Sequence, residues 1–513
     1  MLFDFWRHKY NRCGPREKVR IAVMYQVASY WPSIESFYRA CVDDDSVDIR
    51  IFFVNELSVE SAQIEKTDVF LTEKGIPFFV YSEKELKNFH PHAALYQPPY
   101  DVSYRNPSAL SVHLREMGIR IVYIPYGIEI SDTEDARFNH FHTFVVRNAW
   151  RIYTFSEVML EDYKKYCPNR QAVRALGIPK FDSIVHRNEI GSSDHFQMAG
   201  GRKIILWKMH FPKLIYDNNQ KKQVTPYIEE YLRFAGQIED YDDLFFVVMP
   251  HPMFFSQTIS PELSKKAEKL FWQLRGKKNV YIDDRADYRI SLYHADAVII
   301  DRSAVMVEAG FLDIPVLYMK NPDYEEPLTK AVKELADSYE QGTSCADIQK
   351  FLDKFCDQEL GPVIGRIKKA RLQVLPSEAG MSGEKILADI KGGIRNPEKK
   401  KINISFFGAS FICRHYIEKL KIKNNADFKI VCLSDNDSKK WGSEQESIEI
   451  VAPEKMKEKE IDLIVITSEQ YYMPIKRQLV YELHMDEEKI LRLDYFAEMY
   501  MRDYMQNAGY EDI

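Results

Sequence analysis

Basic and imidazole side chains follow two apolar runs that have the composition of buried strands. Lys208 and His210 end the run ILWKMHF, and His251 stands between two prolines in MPHPMF. A histidine held on such a stiff turn can donate to a phosphate or exchange a proton near neutral pH. The sequence therefore predicts anion binding or proton transfer at these positions. In the alternative interpretation, His251 only fits the conformation of its turn, and the side chains of Lys208 and His210 only face the solvent.

The stretch ADAVIIDRSAVMVEAGFLDIPVLYM leads from a strand through a polar turn into a helix. The strand ends at Asp301, and Ser303 is of the type that caps helices. Backbone amides at a helix start bind anions, and the guanidinium of Arg302 adds a bidentate phosphate partner. We therefore expect the turn from Asp301 to Ala304 to bind the phosphates of a donor, with Glu308 available for a ribose or sugar hydroxyl. In the alternative interpretation, Asp301 and Ser303 only cap the ends of the strand and the helix, and Arg302 is a surface charge.

Metal and disulfide chemistry are not indicated. His140 and His142 form an HxH pair in RFNHFHTF, but no third ligand is indicated nearby, so we predict no metal site. The seven cysteines are scattered, odd in number and never spaced as CxxC. Reduced thiols fit this usage better than a disulfide framework or a structural zinc site.

These residues must be positioned by a sheet, and the chain alternates strand-like apolar runs with helical segments almost throughout. Such alternation predicts βαβ units and parallel sheets, in which ligands bind beyond the carboxyl ends of strands. The candidate residues above lie at such ends. The runs include VRIAVMY, VDIRIFFVN, IRIVYIPYG, RIYTFS, KIILW, LFFVVMP, AVIID and PVLYM.

Two polar, glycine-containing seams divide the chain into three predicted domains. The seams are residues 187–203 and 391–401, the second with the proline and charge run of a linker. We predict one Rossmann-like lobe over 1–190, a second over 200–390, and a smaller Rossmann-like domain over 402–513.

The third predicted domain opens as a strand, a tight turn at Gly408 and a helix. The full GxGxxG pattern of dinucleotide sites is missing, so the fingerprint is weak. Asp435 ends the next strand, where it would either meet a ribose hydroxyl or cap the strand.

Bulk composition excludes several classes. Apolar residues make up 45% and charged residues 29% of the 513 positions, which is ordinary globular usage. A net charge of −7 argues against nucleic-acid binding. No apolar run reaches the ~18 residues of a membrane span, and the first residues do not form a signal peptide. We expect a cytoplasmic protein, in which Leu2, Phe3, Phe5 and Trp6 could touch a membrane surface.

Taken in order, the motifs resemble the CDP-glycerol glycerophosphotransferase family, which builds teichoic-acid-type polymers. The resemblance covers roughly residues 90–390 and implies a GT-B fold, with the active site between two Rossmann-like lobes. The third domain resembles NAD(P)-binding-like modules appended to polysaccharide-biosynthesis proteins. The motifs that carry the family resemblance are QPPYD, YIPYG, GIPKFD, ILWKMHF, MPHP, IIDRSAVMVEAGFLDIPVLYM and LPSEAGMSGEKILADI.

The resemblance also implies an activity. An alcohol phosphate would pass from a CDP-linked donor to a hydroxyl of a surface polysaccharide or its lipid-linked precursor, releasing CMP without a required metal or cofactor. A histidine important in the family maps onto His251. Where the family carries an HGT-type motif with the proposed base, this chain has Tyr126, and a tyrosine that titrates near 10 is a poor base. His210 is therefore the candidate base.

Two other functions stay open. A GT-B glycosyltransferase using a nucleotide sugar would have the same fold, so the fold does not decide between them. The other is a degenerate member of the family that binds a ligand without catalysis. The feature in its favour is Tyr126 at the position of the family's histidine.

Overall fold

The computed structural model divides the chain into two compact units. The larger unit comprises Cys13–Arg115 and Ile119–Gly392, and the smaller one comprises Met1–Arg12, Glu116–Gly118 and Gly393–Ile513. The first nine residues, on which the membrane-contact prediction depends, lie outside the described residues. The structure describes residues 10–54, 61–101, 105–187, 193–217, 220–251, 254, 261–285, 287–374, 380–396, 402–422 and 428–497.

The first lobe of the larger unit is built on a parallel seven-stranded sheet in the order β3-β2-β1-β4-β5-β6-β7. The strand order reverses between β1 and β4, which is where open α/β sheets bind ligands. The strands are β1 Val19–Tyr25, β2 Val47–Phe53, β3 Phe78–Val80, β4 Ala93–Tyr96, β5 Arg120–Tyr123, β6 Ala149–Tyr153 and β7 Val173–Arg174. The α-helices are Glu35–Val42, Ser61–Glu73, Glu83–Phe89, Ser111–Glu116, Glu134–Phe141, Phe144–Asn148, Glu157–Tyr166 and Pro179–Val185.

The second lobe repeats this plan with a parallel six-stranded sheet in the order β12-β11-β8-β13-β14-β15. Its order reverses between β8 and β13, and the β9–β10 pair forms a separate antiparallel ribbon. The strands are β8 Lys203–Met209, β9 Leu214–Asp217, β10 Gln220–Gln223, β11 Leu244–Pro250, β12 Val280–Ile282, β13 Ala297–Ile300, β14 Val316–Met319 and β15 Glu340–Gly342. The α-helices are Ile228–Gln237, Pro261–Leu274, Arg289–Tyr293, Val305–Ala309, Lys330–Ala336, Cys345–Cys356, Gly361–Val374 and Ser382–Arg395.

The last helix of the larger unit, Ser382–Arg395, bonds to the first lobe. Oδ2 of Asp389 accepts hydrogen bonds from Nε of Arg151 at 2.9 Å and from the hydroxyl of Tyr153 at 2.7 Å. At the helix start, Oδ1 of Asp182 accepts the Ser382 backbone N–H at 3.0 Å. The second lobe therefore gives its final helix to the first lobe, and the lobes form one unit. The predicted linker over 391–401 is helical through Arg395.

The smaller unit contains a six-stranded sheet in the order β18-β19-β17-β16-β20-β21, in which only β18 is antiparallel to its neighbour. Two apolar clusters form its core. The strands are β16 Ile402–Phe407, β17 Phe428–Ser434, β18 Glu444–Gln445, β19 Ile448–Val451, β20 Leu463–Ile466 and β21 Ile490–Arg492, and the α-helices are Phe411–Ile422 and Tyr472–Arg477. The predicted α/β class, with two Rossmann-like lobes and a smaller Rossmann-like domain, is confirmed.

Among the helices of the described residues, none combines the length and the apolar composition needed to cross a membrane.

Removing residues 396–513 should leave the larger unit folded, because each lobe has its own sheet and the helix Ser382–Arg395 stays in the shortened chain. We predict a soluble protein of residues 1–395 that unfolds cooperatively, in one or two transitions, measured by circular dichroism during heating. A shortened chain that is insoluble or lacks a cooperative transition would mean that the removed part contributes to a shared core.

Candidate functional site

Basic and imidazole groups gather at the carboxyl edge of the second-lobe sheet. Lys208 lies near the end of β8 and His210 follows that strand, while His251 follows β11 and Asp301 follows β13. Because β8 lies between β11 and β13, these strand ends are adjacent. The ring centroids of His210 and His251 are 4.8 Å apart. The structure therefore brings together residues that lie up to 93 positions apart in the chain. Pro252 and Met253 of the predicted turn lie outside the described residues.

Asp301 fixes the turn that carries His210. Its side chain is fully buried, with Oδ1 accepting the backbone N–H of His210 at 2.8 Å and Oδ2 accepting the hydroxyl of Tyr231 at 2.9 Å. Burial raises the pKa of Asp301 to about 7, although these two hydrogen bonds oppose the shift. Because both carboxyl oxygens bond within the protein, the geometry favours a positioning role over the predicted contact with a donor.

Lys208 is a buried cation with weak local bonding. Its Nζ lies 3.5 Å from the carbonyl oxygen of Met249. Burial lowers the pKa of Lys208 to about 8, although the charges of Asp301 and Asp283 favour its ammonium form. A desolvated ammonium of this kind gains free energy when an anion binds beside it.

Burial and neighbouring cations keep three imidazoles of the site neutral. The pKa of His251 is lowered to about 3, chiefly by burial and then by nearby positive charges. Burial also lowers the pKa of His140 to about 4, helped by Arg302 and Lys213, and lowers that of His210 well below its usual range. His140 belongs to the first lobe, so the cluster spans both lobes. An anion bound among these cations would raise the pKa of each imidazole.

The tautomer of His210 follows from the hydrogen bond that its Nδ1 makes. Its Nδ1 lies 2.9 Å from the carbonyl oxygen of Phe211. Because a carbonyl oxygen can only accept, Nδ1 carries the ring proton and Nε2 presents a lone pair. His210 is therefore in the form that can accept a proton.

Arg302, predicted as a phosphate ligand, bridges the two lobes. Its Nε donates to both carboxyl oxygens of Glu326 at 2.7 and 2.8 Å, and Nη2 donates to Oγ of the first-lobe residue Ser131 at 2.7 Å. Ser131 in turn donates to Glu326. The predicted phosphate partner is thus already held by a carboxylate, which a phosphate would have to displace or share.

Main-chain bonds reinforce this bridge. The backbone N–H of Asp132 donates to the carbonyl of Pro327, and that of Thr329 donates to the carbonyl of Ile130, each at 2.8 Å. We call residues 129–132 and 326–329 together the interlobe strap. The strap holds the loop after β5 against the loop after β14.

The predicted phosphate turn differs in detail from expectation. The helix begins at Val305, so Ala304 rather than Ser303 stands at the cap position, and Ala304 offers no capping side chain. Oγ of Ser303 accepts the backbone N–H of Val305 at 3.3 Å. Ala304 faces the first lobe, because a Cβ added to Gly127 would lie 3.9 Å from the Cβ of Ala304.

Glu308 lies in a buried contact between the lobes. Its carboxylate is fully buried, lies 3.2 Å from Nζ of the first-lobe residue Lys180 and accepts the hydroxyl of Tyr288 at 2.7 Å. The predicted partner of a ribose or sugar hydroxyl is therefore bonded within the protein.

Tyr126, the catalytic candidate at the family's histidine position, belongs to an aromatic cluster. Its ring centroid lies 4.3 Å from that of Tyr30, and its hydroxyl hydrogen-bonds with that of Tyr100. Burial raises the pKa of Tyr126 well above 10, so its hydroxyl stays protonated at neutral pH. As the sequence indicated, this side chain is a poor base.

In the smaller unit, the two predicted ligand residues bond to their own domain. Gly408 has a φ of 101°, and a Cβ there would lie 2.6 Å from Oγ1 of Thr467, so the position requires glycine. Oδ2 of Asp435 accepts the backbone N–H of Ala409 and the ammonium of Lys440, each at 2.8 Å. The Asp435 carboxylate is thus bonded to the turn that contains Gly408.

One group of side chains in the described residues has the spacing of metal ligands: Cys13, Glu17 and His92. The guanidinium of Arg20 pairs with Glu17 and lies 3.4 Å from Nε2 of His92. Nδ1 of His92 accepts the backbone N–H of Arg20 at 2.9 Å, so the ring proton is on Nε2. A cation and a protonated nitrogen do not fit a metal centre.

Several residues of the site were not found from the sequence. Lys213 lies two positions beyond the ILWKMHF motif and could have been found as a further cation of the same loop. His140 was considered only as a metal ligand. Glu326 and Ser131 carry no local signal, because their role arises from contacts between segments 171 to 195 positions apart.

Comparison with known proteins supports the fold. A UDP-N-acetylglucosamine 2-epimerase from Listeria monocytogenes superposes with a TM-score of 0.53 at 13% identity, covering 74% of this chain and 98% of that one. MnaA of S. aureus, solved with UDP, gives 0.51 at 14% identity, covering 73% and 96%. The wall teichoic acid polymerase TagF, soaked with CDPG, gives 0.51 at 12%, covering 76% and 94%. At these identities the likeness shows the fold alone, and it confirms the expected GT-B arrangement.

The smaller unit has a separate relationship. Residues 398–491 match the family described as C2185-like, N-terminal. No curated protein sequence matches the chain.

Arg302→Ala should destabilise the larger unit, because it leaves Glu326 and Ser131 without their shared partner. We expect a loss of about 2 kcal/mol in the free energy of unfolding, less than for a fully buried pair because Arg302 is partly exposed. Denaturant titration measures the loss. The double variant Arg302→Met/Glu326→Gln removes both charges and should recover at least half of it. Equal stability of Arg302→Ala and the wild-type protein would contradict the bridge.

Anion binding should weaken as pH rises through about 8, because Lys208 then loses its charge. Calorimetric titration with inorganic pyrophosphate between pH 7 and 9 measures the change. The matched variant Lys208→Met should bind more weakly at pH 7 and lack this loss of affinity. If both proteins show the same pH dependence, Lys208 does not contact the anion.

Proposed function

We propose that the larger unit transfers an alcohol phosphate, such as glycerol phosphate, from a CDP-linked donor to a hydroxyl of a cell-surface polysaccharide or its lipid-linked precursor. CMP is the product released. The observation that carries this proposal is the cluster of Lys208, Lys213 and Arg302 beside the neutral imidazoles of His210 and His251. Lys208 supplies a buried cation at this sheet edge, and Arg302 and Lys213 add positive charge that Glu326 partly offsets, which suits the binding of a diphosphate.

The cations would hold the donor and stabilise charge in the transition state. Lys208 is desolvated before the donor arrives, so its attraction for a phosphate oxygen is stronger than in water. Arg302 would exchange part of its bonding to Glu326 for a phosphate oxygen. Because Lys208 lies near the end of β8, its position is fixed by the sheet and it needs little reorganisation during the reaction.

The imidazoles would move the protons. The acceptor oxygen attacks the phosphorus that carries the alcohol, the bond from that phosphorus to the bridging oxygen breaks, and CMP leaves with the electron pair. The hydroxyl proton passes to Nε2 of His210, whose Nδ1 is held by the carbonyl of Phe211. His251, once protonated beside the bound diphosphate, donates to the leaving phosphate.

Partners and cofactors follow from this chemistry. The reaction has no redox step and needs no organic cofactor, and we expect transfer to continue in the presence of EDTA. A lipid-linked acceptor would bring the protein to the inner face of the cell membrane, where Leu2, Phe3, Phe5 and Trp6 are the candidate contact. A nucleotide-sugar donor remains the rival, because the same cations would bind its diphosphate.

His251→Ala should lower transfer at least about 100-fold, as expected for loss of a general acid or of a phosphate donor. The assay incubates the protein with CDP-glycerol, CDP-ribitol or nucleotide sugars and identifies products by mass spectrometry. His142→Ala is the matched control, because its ring stacks on Phe138 and is not part of the cluster. Near-normal transfer by His251→Ala would remove that residue from the mechanism, and products only from nucleotide sugars would establish the rival reaction.

A further inference from the structure

The first lobe carries uncharged side chains where its strand order reverses, between the ends of β1 and β4. Gln97 follows β4 and is fully buried. Its Nε2 donates to the carbonyl of Tyr30 at 2.7 Å and to Oγ of Ser33 at 2.6 Å. Its Oε1 accepts no hydrogen bond from any residue that the structure describes. A buried amide oxygen without a donor is costly, so a ligand hydroxyl would stabilise it.

Three tyrosines lie at the same edge of the first-lobe sheet. Tyr30 follows β1, Tyr100 follows β4 and Tyr126 follows β5, and all three are half-buried. The Tyr30 and Tyr126 rings lie 4.3 Å apart with 32° between their planes, and the hydroxyls of Tyr126 and Tyr100 hydrogen-bond. We call Tyr30, Gln97, Tyr100 and Tyr126 the neutral edge.

The ionisable groups near the neutral edge are bonded within the protein. Asp101 pairs with Arg105 at 3.1 Å, and both are buried. Glu129 is buried and accepts the hydroxyl of Tyr163, and burial raises its pKa to about 7. The excess positive charge of the site therefore lies on the second lobe, while the first-lobe edge offers ring faces, hydroxyls and an amide.

The neutral edge adjoins the donor cluster. Gly127, next to Tyr126, lies against Ala304 of the predicted phosphate turn. Tyr100 is close enough to Arg302 for the guanidinium charge to lower the pKa of its hydroxyl, although burial raises that pKa overall. A group bound at the neutral edge would thus lie beside a donor bound at the cations.

We infer that the neutral edge binds the terminal sugar of the acceptor, an uncharged pyranose, and that the accepting hydroxyl belongs to this sugar rather than to a polyol-phosphate chain. The inference rests on the proposed function and narrows its acceptor. The apolar face of a sugar ring packs on aromatic rings, and its hydroxyls donate to amide oxygens. A polyol phosphate would bring negative charge to an edge where Arg105 is already paired with Asp101 and the guanidinium of Arg302 is bonded to Glu326.

The test compares two acceptors of equal length, a neutral oligosaccharide and an oligomer of glycerol phosphate, with the donor that the protein uses. We expect kcat/KM at least tenfold higher for the oligosaccharide. Tyr30→Ala should raise the KM for the oligosaccharide about tenfold and leave the Kd of the donor unchanged, and Tyr30→Phe should restore the KM. Phe138→Ala is the matched control, because Phe138 is an exposed first-lobe aromatic outside the neutral edge.

The outcomes separate the two proposals. Equal or better use of the glycerol-phosphate oligomer, or a Tyr30→Ala variant with unchanged KM, overturns the sugar inference and leaves the proposed function standing. Absence of CMP release from any CDP-linked donor with either acceptor overturns the proposed function and the inference together.

Discussion

The pairing of Arg302 with Glu326 and Ser131 is the interaction on which the site depends. It joins a guanidinium that follows β13 to a hydroxyl in the loop after β5, so it fixes the second-lobe cations relative to the first lobe. The interlobe strap and the buried Lys180–Glu308 pair act at the same boundary. A buried pair of this kind is costly to break from one side. The lobes are therefore held in one arrangement, in which a reacting group would meet preset charges.

Burial at this sheet edge, more than any single charge, displaces the pKa values of several groups in the site. Lys208, His210 and His251 are buried at one sheet edge, so burial disfavours each charged form, and the charges of Lys208 and Arg302 further lower the pKa values of the two histidines. An anionic ligand would reverse both effects. A diphosphate bound among these groups would therefore be stabilised by them, whereas the neutral edge of the first lobe offers no comparable excess of positive charge. In the proposed reaction, charge alone would direct the donor to the second lobe and the acceptor to the first.

Much of the fold, and part of the site, could be predicted from the sequence. The apolar runs ending at Lys208, His251 and Asp301 identified parallel strands, and the carboxyl ends of such strands must share one sheet edge. The exact ends of helices and the contacts between distant segments could not be predicted from the sequence. The helix after β13 starts one residue later than the cap-type side chain of Ser303 suggested. The glycines of the predicted linker lie inside the helix Ser382–Arg395, whose apolar residues Ile386, Ile390 and Ile394 are buried. The partners of Arg302 and Glu308 come from the other lobe, and no local pattern encodes such contacts.

The measurement that most directly tests the central claim, a nucleotide-diphosphate site between the lobes, is thermal unfolding with and without CDP or UDP. A ligand that binds only the native state must raise the melting temperature, by an amount set by its concentration relative to its Kd. We predict that CDP raises the melting temperature more than UDP. A melting temperature unchanged by either nucleotide at millimolar concentration would contradict the account.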